Sequence, residues 1–232
     1  MSKISRSVQS VQERVRAAAE RAGRDPASVT LIGVTKTRTP AEVQDAIQAG
    51  VVHLGENKVQ ELATKVEALG HDGLVWHLIG SLQTNKVKTA LPLADLIHSL
   101  DRDSLLEALA REAERRGVPV RALVQVNVSG EQSKHGIDPA DLIPFLRRVS
   151  ATGWVEIEGL MTMAPADADA QTARPHFRRL RELAQAVGER TIPHVQMREL
   201  SMGMSGDFEV AIEEGATFVR VGTALFGARD YT

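Results

Sequence analysis

The feature that most constrains this chain is an alternation of short apolar runs with amphipathic stretches, repeated eight times with no linker between them. Residues 29–36 read as a strand. Thr39-Pro40-Ala41-Glu42 then opens a helix, with Thr39 as N-cap, Pro40 at the first helical position and Glu42 near the capping-box position. That helix runs to Gly50. Residues 51–56 and 57–69 are the second strand and helix, 74–80 and 83–90 the third pair, and 96–100 and 102–116 the fourth. Strand 121–128 leads to helix 139–150, capped by Asp138. Strand 155–163 leads to helix 170–187, in which Pro175 is expected to delay or kink the first turn. A short seventh strand at 199–202 precedes a helix over 207–215, and 217–221 is the eighth strand. Ahead of all this, Ile4, Val8, Val11, Val15, Ala18 and Ala22 recur at spacings of three and four, the mark of an amphipathic helix that Gly23 ends.

Strictly alternating strands and helices predict a parallel sheet with right-handed crossovers. Eight units in 232 residues favour a closed (β/α)8 barrel, a fold that commonly takes about 250 residues, over an open doubly wound sheet. A dinucleotide-binding sheet would want a Gly-x-Gly-x-x-Gly turn after its first strand, and here Thr35-Lys36-Thr37-Arg38 follows instead. The expectation is an α/β chain forming one TIM-barrel domain over residues 1–232, with an N-terminal helix.

Composition enters through what it excludes. There is no cysteine, so disulfides, thiolate catalysis and cysteine-ligated metals are ruled out. A formal net charge of −2 leaves no electrostatic footprint for nucleic acid. The N-terminus shows no signal-peptide core, and no apolar run is long enough to span a bilayer, so a cytoplasmic protein with no membrane partner is expected.

Function in such a barrel sits at the C-terminal ends of the strands. The first strand, Leu31-Ile32-Gly33-Val34-Thr35-Lys36, ends abruptly in a lysine. Such a lysine either snorkels at a strand end or, where its ammonium loses water, becomes a neutral amine that attacks carbonyls. The other ends deliver Glu56-Asn57, His77 with Ser81, His98, Asn127, Met161-Thr162-Met163, Ser201-Met202-Gly203-Met204-Ser205-Gly206 and Arg220 with Gly222-Thr223. Arg220, between Val219 and Val221, faces inward if the valines face the helices, and an inward arginine needs a partner, for which Glu158 and Glu199 are candidates. Ser201, Gly203, Gly206 and the Gly222-Thr223 turn make an anion-site candidate after strands seven and eight, or only a set of tight turns. His53, His77 and His98 lack metal-ligand spacing; His77 could stack near a planar ligand or be a satisfied core histidine. The helix-face arginines, Arg111, Arg115, Arg116, Arg178, Arg179 and Arg181, read as solvated surface. Trp76 and Trp154 read as plugs at the barrel's other end.

Several long motifs carry a family resemblance: Gly33-Val34-Thr35-Lys36, His53-Leu54-Gly55-Glu56-Asn57, Trp76-His77-Leu78-Ile79-Gly80-Ser81, Ser133-Lys134-His135-Gly136, Gly159-Leu160-Met161-Thr162-Met163, Leu200-Ser201-Met202-Gly203-Met204-Ser205 and Val219-Arg220-Val221-Gly222-Thr223. Over nearly its whole length the chain resembles the pyridoxal phosphate homeostasis proteins (the YggS/PROSC family), which are similar in fold to the barrel domain of alanine racemase. The resemblance implies pyridoxal 5′-phosphate held as a Schiff base on Lys36. It implies phosphate held by Ser201, Gly222 and Thr223, Arg220 near the pyridine nitrogen, and Asn57 in the same pocket. His77 and Met161 complete the expected cofactor-binding set. It also implies a carrier or buffer of the cofactor without an established reaction, with apo-enzymes as recipients.

An arginine at the pyridine nitrogen makes a weaker electron sink than the usual carboxylate. A racemase also needs two bases, and the racemase family takes its second, a tyrosine, from a further domain of the partner subunit. Here the sole tyrosine is Tyr231, near the end of the chain. A binding protein, expected to be monomeric, is therefore the leading reading. A weakly active amino-acid racemase and a cofactor-free Schiff-base aldolase are the alternatives. Lys134, in a glycine-flanked loop, is either a second transient amine or a plain surface lysine.

Overall fold

Eight short strands close into one parallel barrel in the order β1-β2-β3-β4-β5-β6-β7-β8. They span Thr30–Val34, His53–Glu56, Val75–Leu78, Leu96–Leu100, Val120–Gln125, Val155–Met161, Val195–Ser201 and Phe218–Val221. The computed structural model describes residues 2–130, 135–165 and 169–228, so Lys134 and Tyr231 lie outside the described residues. The first and last strands close the ring, with Ile32 opposite Arg220 and Thr30 opposite Phe218.

The helices are α1 (Lys3–Arg21), α2 (Pro40–Gln48), α3 (Val59–Leu69), α4 (Val87–Ala90), α5 (Asp103–Arg116), α6 (Leu142–Thr152), α7 (Ala170–Gly188), α8 (Phe208–Glu213) and α9 (Thr223–Phe226). Local chemistry sets their ends. Thr39 caps α2 through a capping box with Glu42, and Pro40 takes the first helical position, where a missing N–H costs nothing. Asp169 caps α7 by accepting from the backbone N–H groups of Gln171 and Thr172, and Pro175 falls inside that helix.

Alternation along the strands splits the apolar residues into two layers. Leu54, Trp76, Leu78, Ile97, Val219 and Val221 belong to the large core between barrel and helices, whereas Ile32, Leu96, Leu123, Met161 and Phe218 form a small core inside the barrel. Trp76 is therefore not a barrel plug. It is buried in the outer layer, and its indole N–H donates to Gly70 O at 2.9 Å, which satisfies its one polar group. Trp154 precedes β6 and packs partly buried against that same outer core.

On α7, Arg178 and Arg179 are exposed as expected, but the arginines of this face also carry ion pairs. Arg174, Arg178 and Arg181 converge on the buried Glu214, and Arg174 reaches Glu213 as well, so α7 is tied to the end of α8 by charge. Arg14 and Arg21 of α1 pair with Glu209 and Glu213 from the other side. The N-terminal helix is thereby fastened against α8.

Candidate functional site

A cavity of about 430 Å³ opens at the C-terminal ends of the strands, a size suited to a small cofactor. Lys36, Asn57, Arg220, Gly222 and Thr223 all line it. Val34, Ile79, Met163 and Met204 give it apolar walls, and Arg38, Ser81, Gln125, His135 and Ser205 add polar groups. Three of the expected residues stand back from this lining. His77 and Met161 lie inside the barrel, and Ser201 sits behind Arg220.

Each lining residue is delivered by strand geometry. Ile32 points into the barrel, so two residues on Val34 does too, and Lys36 follows in the turn that leaves β1. His53 and Gly55 succeed one another in the same way on β2, and Asn57 follows just past its end. Gly80 allows β3 to end close to Asn57, because a Cβ there would lie 2.3 Å from the Asn57 carbonyl oxygen.

The two residues flanking Lys36 are held from the helix side. Lys65 of α3 donates to Thr35 O at 2.7 Å and pairs with Glu56, which in turn accepts from Thr35 Oγ1 at 2.6 Å. Glu61 accepts from Thr37 N at 2.7 Å, and Thr37 adopts a left-handed φ of 64°, costly for a β-branched residue. Burial pushes the Glu56 carboxyl up, against the pull of the Lys65 ammonium and the Thr35 hydroxyl. Its Oε2 has no hydrogen-bond partner among the described residues. Nothing in the strand-end reading pointed to Lys65. Its only signal was the i+3 spacing from Leu62, at the edge of the apolar stripe of α3, where a lysine ordinarily reads as surface.

Arg220 is inward and buried, as the flanking valines require. Its partners are neither Glu158, which pairs with Arg121 and Arg198, nor Glu199, which accepts from Thr217. One Nη donates to Ser201 Oγ at 2.5 Å and the other to Thr162 O at 2.9 Å. Burial lowers its pKa to about 10, against the attraction of Asp207, so the guanidinium is charged at neutral pH.

Just past the end of β8, the N–H groups of Gly222 and Ala224 converge on Ser205 Oγ at 3.3 and 3.2 Å, long bonds shared by one hydroxyl. Ser205 belongs to the strand-seven end, Ser201 to Gly206, but the anion-site expectation rests on Ser201 instead; Ser205 lies past the end of β7, in the loop that turns at Gly203. Gly203 has φ 91°, and a Cβ there would meet Ala211 Cβ at 2.5 Å, so the loop folds onto α8 only with glycine.

One amine, one buried guanidinium and a turn of backbone N–H groups thus face a single cavity. Known proteins resemble this chain over nearly its whole length. Residues 7–230 match the model of the alanine racemase N-terminal domain. A pyridoxal phosphate homeostasis protein of Aquifex aeolicus is 44% identical over 95% of this chain and 96% of its own length. The chain belongs to the pyridoxal phosphate homeostasis protein family. PipY of Synechococcus elongatus, solved with PLP bound, is 40% identical, covers 94% of this chain and 100% of its own, and superposes with a TM-score of 0.80. The alanine racemase of Clostridium difficile shares the fold alone, at 11% identity and a TM-score of 0.71, with this chain covering 57% of it. The family's barrel is therefore the barrel seen here, closed by eight parallel strands.

Proposed function

We propose that this chain binds pyridoxal 5′-phosphate in the cavity, attached through Lys36, and serves intracellular pyridoxal phosphate homeostasis by holding and releasing the cofactor. The observation that carries the reading is the convergence of Lys36, Arg220 and the Gly222-Thr223 turn on one cavity of cofactor size. The names of the relatives and the ligand of PipY support it.

The residues present fit the group. Bound pyridoxal phosphate supplies an aldehyde that condenses reversibly with a primary amine, releasing water. Lys36 is the lysine of this cavity among the described residues, and the hydrogen bonds that Lys65 gives to Thr35 and Glu61 accepts from Thr37 fix the backbone from which it reaches. Val34, Ile79, Met163 and Met204 give a planar ring an apolar bed. Arg220 holds its own proton, so it would act only as a donor toward the pyridine nitrogen and would favour its unprotonated form. Gly222 and Thr223, with Ser205 beside them, would hold the phosphate, and Asn57 would border the ring. Ser201 acts on Arg220 and reaches the cofactor only through it, and His77 and Met161 act from within the barrel.

Such a site favours storage and hand-over to apo-enzymes in the cytoplasm by a monomeric barrel. Racemisation of an amino acid would need a second acid–base group, and His135 is the imidazole in the described lining. An assay over many amino acids, with turnover lost in Lys36→Ala, would favour that alternative. The binding proposal is tested by titrating the protein with pyridoxal phosphate. A visible band should grow in the wild type and be absent in Lys36→Ala, with unchanged circular dichroism. An equal band in both proteins overturns it.

A further inference from the structure

The barrel interior holds three histidines that the cavity does not use, and they touch one another end to end. His53 Nδ1 lies 2.9 Å from His77 Nε2, His77 Nδ1 lies 2.8 Å from His98 Nε2, and His98 Nδ1 lies 2.9 Å from Ser201 Oγ. Ser201 Oγ then accepts from Arg220. The Phe218 ring packs against all three imidazoles, with centroids 5.5 to 6.5 Å away. His77 and His98 are buried, and His53 is half-buried.

Proton counting fixes the direction of this chain. A neutral imidazole has one donor nitrogen and one acceptor nitrogen, and a guanidinium only donates. Arg220 donates a hydrogen bond to Ser201 Oγ, so the hydroxyl hydrogen needs an acceptor of its own. Among the described residues that acceptor is His98 Nδ1. His98 must then carry its proton on Nε2 and donate to His77 Nδ1. His77 in turn carries its proton on Nε2 and donates to His53 Nδ1. The reverse polarity would leave the buried Ser201 hydroxyl proton without an acceptor, which is costly.

The ladder answers a question about Arg220. A buried guanidinium is expensive without a counter-charge. No carboxylate pairs with Arg220 within ion-pair distance among the described residues, and Asp207 acts on it only through space. We infer that Ser201, His98, His77 and His53 form a one-way hydrogen-bond ladder that is the counter-dipole of Arg220. Each member turns its electron-rich side toward the arginine, so the aligned dipoles stabilise positive charge at the cavity floor without neutralising it. A carboxylate in that place would cancel the charge. The ladder keeps it available to an electron-rich ligand atom. The surrounding charges are compatible with neutral rings: Arg121 and Arg220 disfavour protonation of His77 and His98, and Asp95 favours it only at His53. The three histidines are thus positioning residues that act through Ser201 and Arg220.

Long-range ¹⁵N–¹H correlation spectroscopy of the labelled protein without cofactor tests this, and its result does not depend on the binding proposal. All three histidines should show a protonated Nε2 and a bare Nδ1 at neutral pH. Ser201→Ala removes the donor to His98 Nδ1, so an Nδ1–H population should appear at His98 and spread to His77. An Nδ1–H or doubly protonated His77 or His98 in the wild type overturns the ladder. So does an unchanged, fully Nε2–H His98 in a folded Ser201→Ala protein. If that variant does not fold, the wild-type spectrum alone decides.

Discussion

Lys65 Nζ donates a 2.7 Å hydrogen bond to the carbonyl oxygen of Thr35, the residue immediately before Lys36. The same ammonium pairs with the fully buried Glu56, so one α3 side chain joins the end of β1 to the end of β2. Removing Lys65 leaves a buried carboxylate unpaired. Lys65→Met should therefore cost about 3–5 kcal/mol in urea unfolding. Pairing it with Glu56→Gln should recover part of the loss, because the uncompensated charge is gone. A loss below about 1 kcal/mol would show that the pair is solvated.

The interior histidines predict acid sensitivity. Burial lowers the pKa of His77 to about 3 and that of His98 well below its ordinary value. Unfolded histidine takes up a proton below about 6.5, and the folded rings do not. The stability tied to them is fully present above about 6.5 and lost as pH falls toward the folded values. The slope is about 1.4 kcal/mol per pH unit for each ring. Urea midpoints measured through mildly acidic pH should show this slope, and His77→Asn should reduce it by about one ring's share.

Ser205 should discriminate phosphate from its absence. Its hydroxyl sits against the N–H groups of Gly222 and Ala224. Ser205→Ala is expected to weaken pyridoxal phosphate binding by about tenfold, the equivalent of about 1.4 kcal/mol, and to leave the affinity for unphosphorylated pyridoxal unchanged. Equal losses for both ligands would place Ser205 away from the phosphate.

Arg220→Glu reverses the charge at the cavity floor and turns a fixed donor into an acceptor. The absorption maximum of the bound cofactor, or its dependence on pH, should change. An identical spectrum across pH would assign Arg220 to structure alone.

Much of this was legible in the residue order, and the parts that were not have physical reasons. The barrel followed from periodicity and from the caps at Thr39 and Asp138. The inward side of Arg220 followed from Val219 and Val221. The start of β7 was missed by four residues, because Val195–Arg198 alternates between partly and well exposed side chains and offers no apolar run. Ser201 was legible as a strand-end hydroxyl, yet its partners were not. Which residues of β4 and β7 meet across the interior depends on the stagger of the closed barrel, a property of the whole ring. The same holds for the contact of His98 with Ser201, residues separated by 103 positions. Lys65 was hidden for another reason, since a lysine on an amphipathic helix reads as surface until its buried partner is known.

The central claim is that Lys36 is the attachment point. Borohydride reduction of the cofactor-loaded protein, followed by peptide mass mapping, tests it most directly. The account predicts a reduced pyridoxyl-phosphate adduct on the peptide containing Lys36, and none in Lys36→Ala. An adduct located chiefly on another lysine, such as Lys65 or Lys134, would contradict it.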